Sequence, residues 1–274
     1  MAVAGGVKIQ ACTPHIMPGV YNNSGPQIRQ AVASLQAALD QEAIPLRLIT
    51  GADNHLVPDM VGGLKSGHLL SLADTRYLLV EPPHHVAPAR LVDMLFNVMV
   101  SGYHPIITHP ERFGWIRSHY HLIEQLAQGG AWMQITASSL TGAFGREPQY
   151  WAQRMLSEGM VHILASDAHD TRRRPPNLLA GFEAAAKLIG DKEAVHLVLT
   201  RPLSILKNQI STSAPAPVAS AFQTELMDEM QSVGAGQRAV PPSGQSYGSR
   251  RDDNGASGKS GWLDRMRRLV SGKS

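Results

Sequence analysis

Short apolar segments alternate with longer segments of helical periodicity over about the first 210 residues of this 274-residue chain. This alternation is typical of strands that are each followed by a helix, and it predicts a parallel sheet covered by helices. The apolar segments contain few polar residues, as strands buried on both faces do. The order of these segments therefore predicts an α/β fold.

The predicted elements form six strand-then-helix units, the first of which begins part-way through. Predicted strands cover residues 7–13, 46–50, 77–81, 105–109, 132–136 and 161–165. Predicted helices cover residues 25–43, 88–101, 117–128, 149–158, 178–189 and 192–199. In the first helix, Ile28, Val32, Leu35 and Leu39 fall on one face at helical spacing.

A histidine or a carboxylate follows most of the predicted strands. A single histidine at a strand end is more often structural than catalytic, but recurrence at successive strand ends is hard to assign to chance. α/β barrels hold their catalytic residues at strand carboxyl ends, and histidine with carboxylate is a usual ligand set of hydrolytic metal sites. We therefore expect a metal-dependent hydrolase whose pocket gathers His15, Asp53, Glu81, His109, Asp167 and His169.

Two arginines follow candidate ligands closely. Arg112 comes three residues after His109, and Arg174 ends a run of three arginines after His169. Such a run is usually a solvated basic loop, but a guanidinium next to a metal cluster suits a phosphate group. The single cysteine, Cys12, has no arginine within the next six residues, which disfavours a cysteine-nucleophile phosphatase.

Charge and hydropathy exclude other function classes. The net charge of +3 is too small to indicate a nucleic-acid partner. No apolar run approaches the roughly 20 residues of a membrane-spanning helix, and the N-terminus lacks a secretory layout. We therefore expect a cytoplasmic protein.

The composition changes after residue 209. Residues 211–261 are rich in Ser, Gly, Pro, Ala and Gln, and we expect a disordered linker there. Residues 262–270 place Trp262, Met266, Leu269 and Val270 on one helical face and three arginines largely off it. We expect a short amphipathic basic helix that attaches peripherally to a membrane or to a partner; the alternative is a solvated tail.

The motifs, taken in order, resemble a known family. They are CTPHIMPGVYN at 12–22, VEPP at 80–83, GYHPIITHPER at 102–112, QITASSLTGAFG at 134–145, and ASDAH at 165–169 with RPPN at 174–177. Together they resemble the manganese-dependent bacterial tyrosine phosphatases of capsule and exopolysaccharide loci. Those enzymes belong to the PHP (polymerase and histidinol phosphatase) superfamily, and the resemblance covers about residues 7–210.

The resemblance implies a distorted (β/α)7 barrel with up to three metal ions, usually Mn²⁺. It implies hydrolysis of phosphotyrosine on a polysaccharide-export tyrosine kinase, which would be the partner. It assigns metal ligation to His15, Asp53, Glu81, His109, Asp167 and His169, with Glu81 as a bridging carboxylate. Arg112 and Arg174 match the phosphate-binding arginines, and the acid for the leaving group is His169 or a bound water.

This sequence also departs from the family pattern. The family opens with a strand bearing His-X-His and a Gly-X-Asp-Asp-Gly loop, and this chain begins after that point, so we expect an N-terminally truncated barrel without its first strand. Ile16 stands where the family has a second histidine, and Asp53 where many relatives have Glu. Two alternatives remain open: a phosphoesterase for a small phosphomonoester, and an inactive module that binds the kinase.

Overall fold

The computed structural model describes residues 1–219. The predictions of a linker up to residue 261 and of a basic helix over 262–270 therefore fall outside the described residues, apart from the start of the linker. All six candidate ligands and both candidate phosphate-binding arginines lie within residues 1–219.

Parallel strands form two sheets. The smaller sheet pairs β1 with β3, and the larger one has the order β2-β4-β5-β6-β7-β8. The strands are β1 (Ile9–Cys12), β2 (His15–Ile16), β3 (Arg47–Thr50), β4 (Asp53–His55), β5 (Tyr77–Glu81), β6 (His104–Thr108), β7 (Trp132–Thr136) and β8 (Val161–Ala165).

Helices follow most of the strands. They are α1 (Gly25–Gln41), α2 (Met60–Lys65), α3 (Leu91–Val100), α4 (Ile116–Gln128), α5 (Ala137–Leu140), α6 (Arg146–Ser157), α7 (Leu179–Ile189), α8 (Asp191–Val195) and α9 (Arg201–Leu206), with a π-helix at His196–Thr200. Short 3-10 turns lie at Val3–Gly5, Leu72–Asp74, Pro110–Arg112 and Ser211–Ser213. Within residues 1–219, no helix combines the length and apolar content needed to cross a bilayer.

The predicted α/β class is confirmed, whereas a closed barrel is not observed. Over residues 1–219 the larger sheet is open, with β2 and β8 at its two edges. The strand predicted over 7–13 is observed as β1, which pairs with β3 in the smaller sheet. His15, expected in the loop that follows, instead starts β2 in the larger sheet.

One hydrophobic cluster of the core lies in the first three residues of the strands, away from the candidate ligands. Tyr77, Ile106, Trp132 and Ile163, from four neighbouring strands, pack against Ile205 of α9. Because these side chains come from adjacent parallel strands, they fix the strand register. The register in turn determines which residues lie side by side at the carboxyl ends of the strands.

Residues just past the predicted domain end at residue 210 still contact the domain. A 3-10 turn at Ser211–Ser213 is followed by Ala214, which packs against the core cluster. The carbonyl of Pro215 accepts a hydrogen bond of 2.7 Å from Arg201 Nε. Ala214 and Pro215, at the start of the expected linker, thus contact the core cluster and the buried Arg201.

We expect acid to destabilise the fold through two histidines at the core. Burial lowers the pKa of His104 to about 4 and that of His162 to about 3, with Arg76 and Arg201 adding to the effect. Between pH 6.5 and these values the unfolded chain takes up protons that the folded chain does not. The free energy of unfolding therefore decreases as the pH is lowered, by up to about 2 kcal/mol per histidine at pH 5.

Urea unfolding at pH 7.5 and at pH 5 measures this loss. His104→Phe keeps the ring contacts with Tyr77 and Trp132 and should shrink the difference between the two pH values. The exposed His121 provides the control, since His121→Gln should leave the difference as in the wild type. An unchanged difference in His104→Phe would show that His104 does not contribute.

Candidate metal centre

Four neighbouring strands deliver one cluster of histidines and carboxylates. Glu81 is the last residue of β5. Asp53 and His55 lie two apart on β4, and therefore on the same face of the strand, with His55 opposite Glu81 in register. His15 begins β2, and His109 follows β6 directly. Asp53 was expected in a loop after a strand, but it is the first residue of β4.

The Glu81 carboxylate is the centre of this cluster. Its Oε2 lies 3.2 Å from His15 Nδ1 and 4.0 Å from His55 Nδ1. Its Oε1 lies 3.0 Å from His84 Nε2 and 3.4 Å from His109 Nε2. One carboxylate therefore faces four imidazoles, although Glu81 itself is only 6% exposed.

Asp53 is the second buried carboxylate. Its Oδ1 accepts a hydrogen bond of 3.1 Å from the Thr108 hydroxyl. Its Oδ2 lies 3.6 Å from both His15 Nδ1 and His109 Nε2. Thr108 thus orients the carboxylate so that one oxygen faces the histidines.

The electrostatics of the cluster favour the charged form of the Glu81 carboxylate. Burial acts to raise the pKa of Glu81, but contacts with His15 and His84 outweigh it and hold the pKa well below its usual range. The contact with Glu81 raises the pKa of His15. Burial acts to lower the pKa of His109, but the neighbouring Asp53 outweighs it. The negatively charged Glu81 carboxylate at the centre of the cluster therefore attracts cations.

Two candidate ligands sit in strained backbone positions. His109 has φ 37° and Asp167 has φ 48°, in the left-handed region that non-glycine residues seldom occupy. Such strain persists only where the surroundings enforce it, and it often occurs at functional sites. At His109 the backbone N–H donates to Gln134 O at 2.8 Å, which ties the loop to β7.

The buried Glu111 side chain also fixes the loop that carries His109. Its side chain is 1% exposed, and its Oε1 accepts hydrogen bonds from Thr136 N at 2.9 Å and from the Ser139 hydroxyl at 2.7 Å. These bonds join the turn after β6 to the start of α5. Glu111 therefore holds in place the turn that carries His109 and Arg112.

Asp167 lies in a second, positively charged group. Its Oδ2 is 2.7 Å from Arg112 Nη1 and is also in contact with Arg174 Nη2. Both guanidinium groups lie over the ring of Phe144, with centroid distances of 4.7 and 5.6 Å. His169 Nδ1 is 3.6 Å from Asp167 Oδ1. The two arginines are thus held between a carboxylate and an aromatic ring.

The cluster around Glu81 and the group around Asp167 meet at His15. The His15 and His169 ring centroids are 5.9 Å apart, and Tyr21 stacks on His15 at 5.3 Å. The structure thus brings together all six residues that the sequence singled out as ligands, with both arginines beside them. Their roles as ligands and as phosphate-binding groups stay predictions.

The donor set fits a divalent transition metal. Donor atoms that bind one ion at about 2.1 Å lie about 3.0–3.5 Å apart, and the contacts of Glu81 with His15, His84 and His109 measure 3.0–3.4 Å. The buried Nδ1 atoms of His15 and His55, which face Glu81 at 3.2 and 4.0 Å, have no hydrogen-bond partner within residues 1–219. A cation would satisfy such atoms, and imidazole with carboxylate suits first-row metals.

Comparison with known proteins identifies the family. The family model described as "Capsular polysaccharide synthesis, CpsB/CapC" matches residues 1–207. The chain belongs to this family. The resemblance inferred from the sequence motifs is thereby confirmed.

Several CpsB/CapC relatives are similar over most of the chain. The tyrosine-protein phosphatase YwqE of Bacillus subtilis is 33% identical over 218 residues, which cover 79% of this chain and 85% of YwqE. The putative tyrosine-protein phosphatase CapC of Staphylococcus aureus is 32% identical, over 60% of this chain and 64% of CapC.

A solved structure supports the same assignment. It comes from the study of YwqE of Bacillus subtilis and CpsB of Streptococcus pneumoniae as unique metal-dependent tyrosine phosphatases. The match has a TM-score of 0.73 and 32% identity, and it covers 79% of this chain and 88% of the other.

The structure also adds residues that the sequence motifs did not select. His55 was not among the predicted ligands, yet Asp53-X-His55 has the two-residue spacing that puts both side chains on one strand face. His84 and His85 were not among them either. His84 contacts Glu81, whereas His85 is exposed. In this CpsB/CapC chain, therefore, more histidines surround Glu81 than the motifs indicated.

Proposed function

We propose that this chain hydrolyses phosphotyrosine in a metal-dependent reaction, as a member of the capsular polysaccharide synthesis family. The observation that carries the proposal is the buried Glu81 carboxylate, which lies among imidazoles beside a pair of guanidinium groups. Mn²⁺ is the ion that we expect at this site. The substrate that we propose is a tyrosine-phosphorylated kinase of polysaccharide export.

Six residues are proposed to hold the metal: His15, Asp53, Glu81, His109, Asp167 and His169. Bound divalent ions supply an activated water at neutral pH and neutralise charge on phosphoryl oxygens. The protein itself positions the side chains that would hold the metal. Thr108 orients Asp53, and the hydrogen bonds of Glu111 hold the turn that presents His109.

Arg112 and Arg174 are proposed to bind the phosphoryl oxygens. A guanidinium presents paired N–H donors that match such oxygens. Asp167 and the Phe144 ring already hold both groups in place, so little reorganisation is needed when the substrate binds. The His169 imidazole is 40% exposed. Because an imidazole that holds an ion has no imidazolium proton to give, a water beside it is the proposed acid for the leaving phenolate.

Replacing Arg174 with Lys should weaken phosphate binding without unfolding the protein. Lysine keeps the charge but loses the bidentate geometry, so we expect kcat/KM to fall about 10- to 100-fold. The free energy of unfolding should change by no more than about 1 kcal/mol, because lysine keeps the charge that faces Asp167. The exposed neighbour Arg173 provides the control, and Arg173→Lys should behave as wild type. Equal kinetics in Arg174→Lys and wild type would remove Arg174 from the site.

Substrate selectivity tests the proposed reaction. Phosphate release is measured with Mn²⁺-loaded protein on a phosphotyrosine peptide, a phosphoserine peptide and a small alkyl phosphomonoester. We expect the phosphotyrosine peptide to have the highest kcat/KM. A preference for the small ester would instead favour the phosphoesterase alternative. Binding of the phosphotyrosine peptide without turnover would favour the inactive module.

A further inference from the structure

The two oxygens of Glu81 face different sets of donors. Oε2 faces His15, which also lies beside Asp53. Oε1 faces His84 and His109, at 3.0 and 3.4 Å, and His109 also lies 3.6 Å from Asp53. A carboxylate whose two oxygens face different imidazoles can bridge two ions, and His84 is one of those imidazoles.

His84 is held at this position by its surroundings. Its carbonyl accepts a hydrogen bond of 2.8 Å from Gly114 N, and the preceding Pro83 carbonyl accepts one of 2.8 Å from Trp115 Nε1. Its ring meets the Phe113 ring edge-on at 5.6 Å and lies 5.1 Å from the His109 ring. The imidazole is therefore anchored against the turn that carries His109.

Three donor atoms of this set lie within 4.8 Å of one another: those of Glu81, His84 and His109. Two imidazoles and one carboxylate are a known ligand set for catalytic ions that keep open coordination positions. His109 is 2% exposed, so its polar ring atoms are shielded from water. The set therefore has both the chemistry and the burial of a metal site.

We propose that His84 is a metal ligand and that Glu81 Oε1, His84 and His109 bind a divalent first-row transition ion. This site is distinct from the donors His15, Asp53 and Glu81 Oε2, and Glu81 bridges the two. The inference rests on the metal dependence in the proposed function, and it goes further because His84 is not among the ligands assigned there. A plain hydrogen bond from His84 to Glu81 is the competing explanation.

The pair His84→Gln and His85→Gln separates these explanations. Glutamine at 84 can still donate a hydrogen bond to Glu81, but its amide is a far weaker ligand than imidazole for such ions. His85 is the adjacent exposed histidine, and its replacement controls for the change of residue type. Both variants are made in the full chain. Mn²⁺ stoichiometry and affinity are measured by electron paramagnetic resonance, and bound Co²⁺ by its visible absorption.

We expect one equivalent of Mn²⁺ to bind more than about 100-fold more weakly in His84→Gln, beyond the usual effect of a residue that only supports a ligand. The Co²⁺ spectrum should change as one nitrogen donor is lost, and His85→Gln should match the wild type. Wild-type Mn²⁺ binding and Co²⁺ absorption in His84→Gln would overturn the proposal, and so would an equal loss in both variants. Because these readouts need no turnover, they stand apart from a failure to hydrolyse phosphotyrosine.

Discussion

Glu81→Gln should abolish most of the phosphatase activity, with kcat/KM on a phosphotyrosine peptide falling about 10³-fold. Glutamine keeps the volume of the side chain but removes the charge that both donor sets share. Glu81 contacts His15, His84 and His109, so the substitution removes the charge at the centre of the cluster. Steady-state kinetics at saturating Mn²⁺ measure the effect.

The exposed Glu42, at the end of α1, provides the matched control. Glu42→Gln makes the same chemical change far from the cluster and should keep wild-type kinetics. Circular dichroism should show the same helix content in both variants. If folded Glu81→Gln retained wild-type kcat/KM, the assignment of the active site to this cluster would be wrong.

Arg201→Met should cost about 3–5 kcal/mol of unfolding free energy, the usual penalty for breaking a buried ion pair. Arg201 is 0% exposed, and its Nη2 lies 2.6 Å from Glu193 Oε1. The same guanidinium donates to Pro215 O at 2.7 Å and to His162 O at 3.4 Å. Removing it leaves the Glu193 carboxylate buried without its partner and releases the segment that covers it.

Urea unfolding at pH 7.5 measures this loss as a shift in midpoint. The double variant Arg201→Met with Glu193→Leu removes both charges, and it should recover part of the loss because no unpaired carboxylate remains. A loss below about 1 kcal/mol in Arg201→Met would show that the pair is not important for stability.

The sequence was sufficient for most of the fold because the buried strands have a simple apolar pattern. The strands predicted at 77–81, 132–136 and 161–165 coincide with β5, β7 and β8. Short elements were harder to predict. β2 and β4 have two and three residues, too few for a period to appear, and both were expected to lie in loops.

The candidate site was predictable where a polar residue ends an apolar strand, as Glu81 and His109 do. It was not predictable where loops return to the site. His84 reaches Glu81 because hydrogen bonds from Gly114 and Trp115 fix its loop, and these contacts join parts of the chain about 30 residues apart. Likewise, Phe144 lies over Arg112 and Arg174 only because the loop before α6 folds back across the strand ends.

Metal removal and restoration test the central claim most directly. The purified chain is treated with a chelator, dialysed, and assayed for phosphate release from a phosphotyrosine peptide before and after Mn²⁺ is added back. We expect activity to disappear with the metal and to return with Mn²⁺ in the wild type, but not in Glu81→Gln. Undiminished hydrolysis by the metal-free chain would contradict the account.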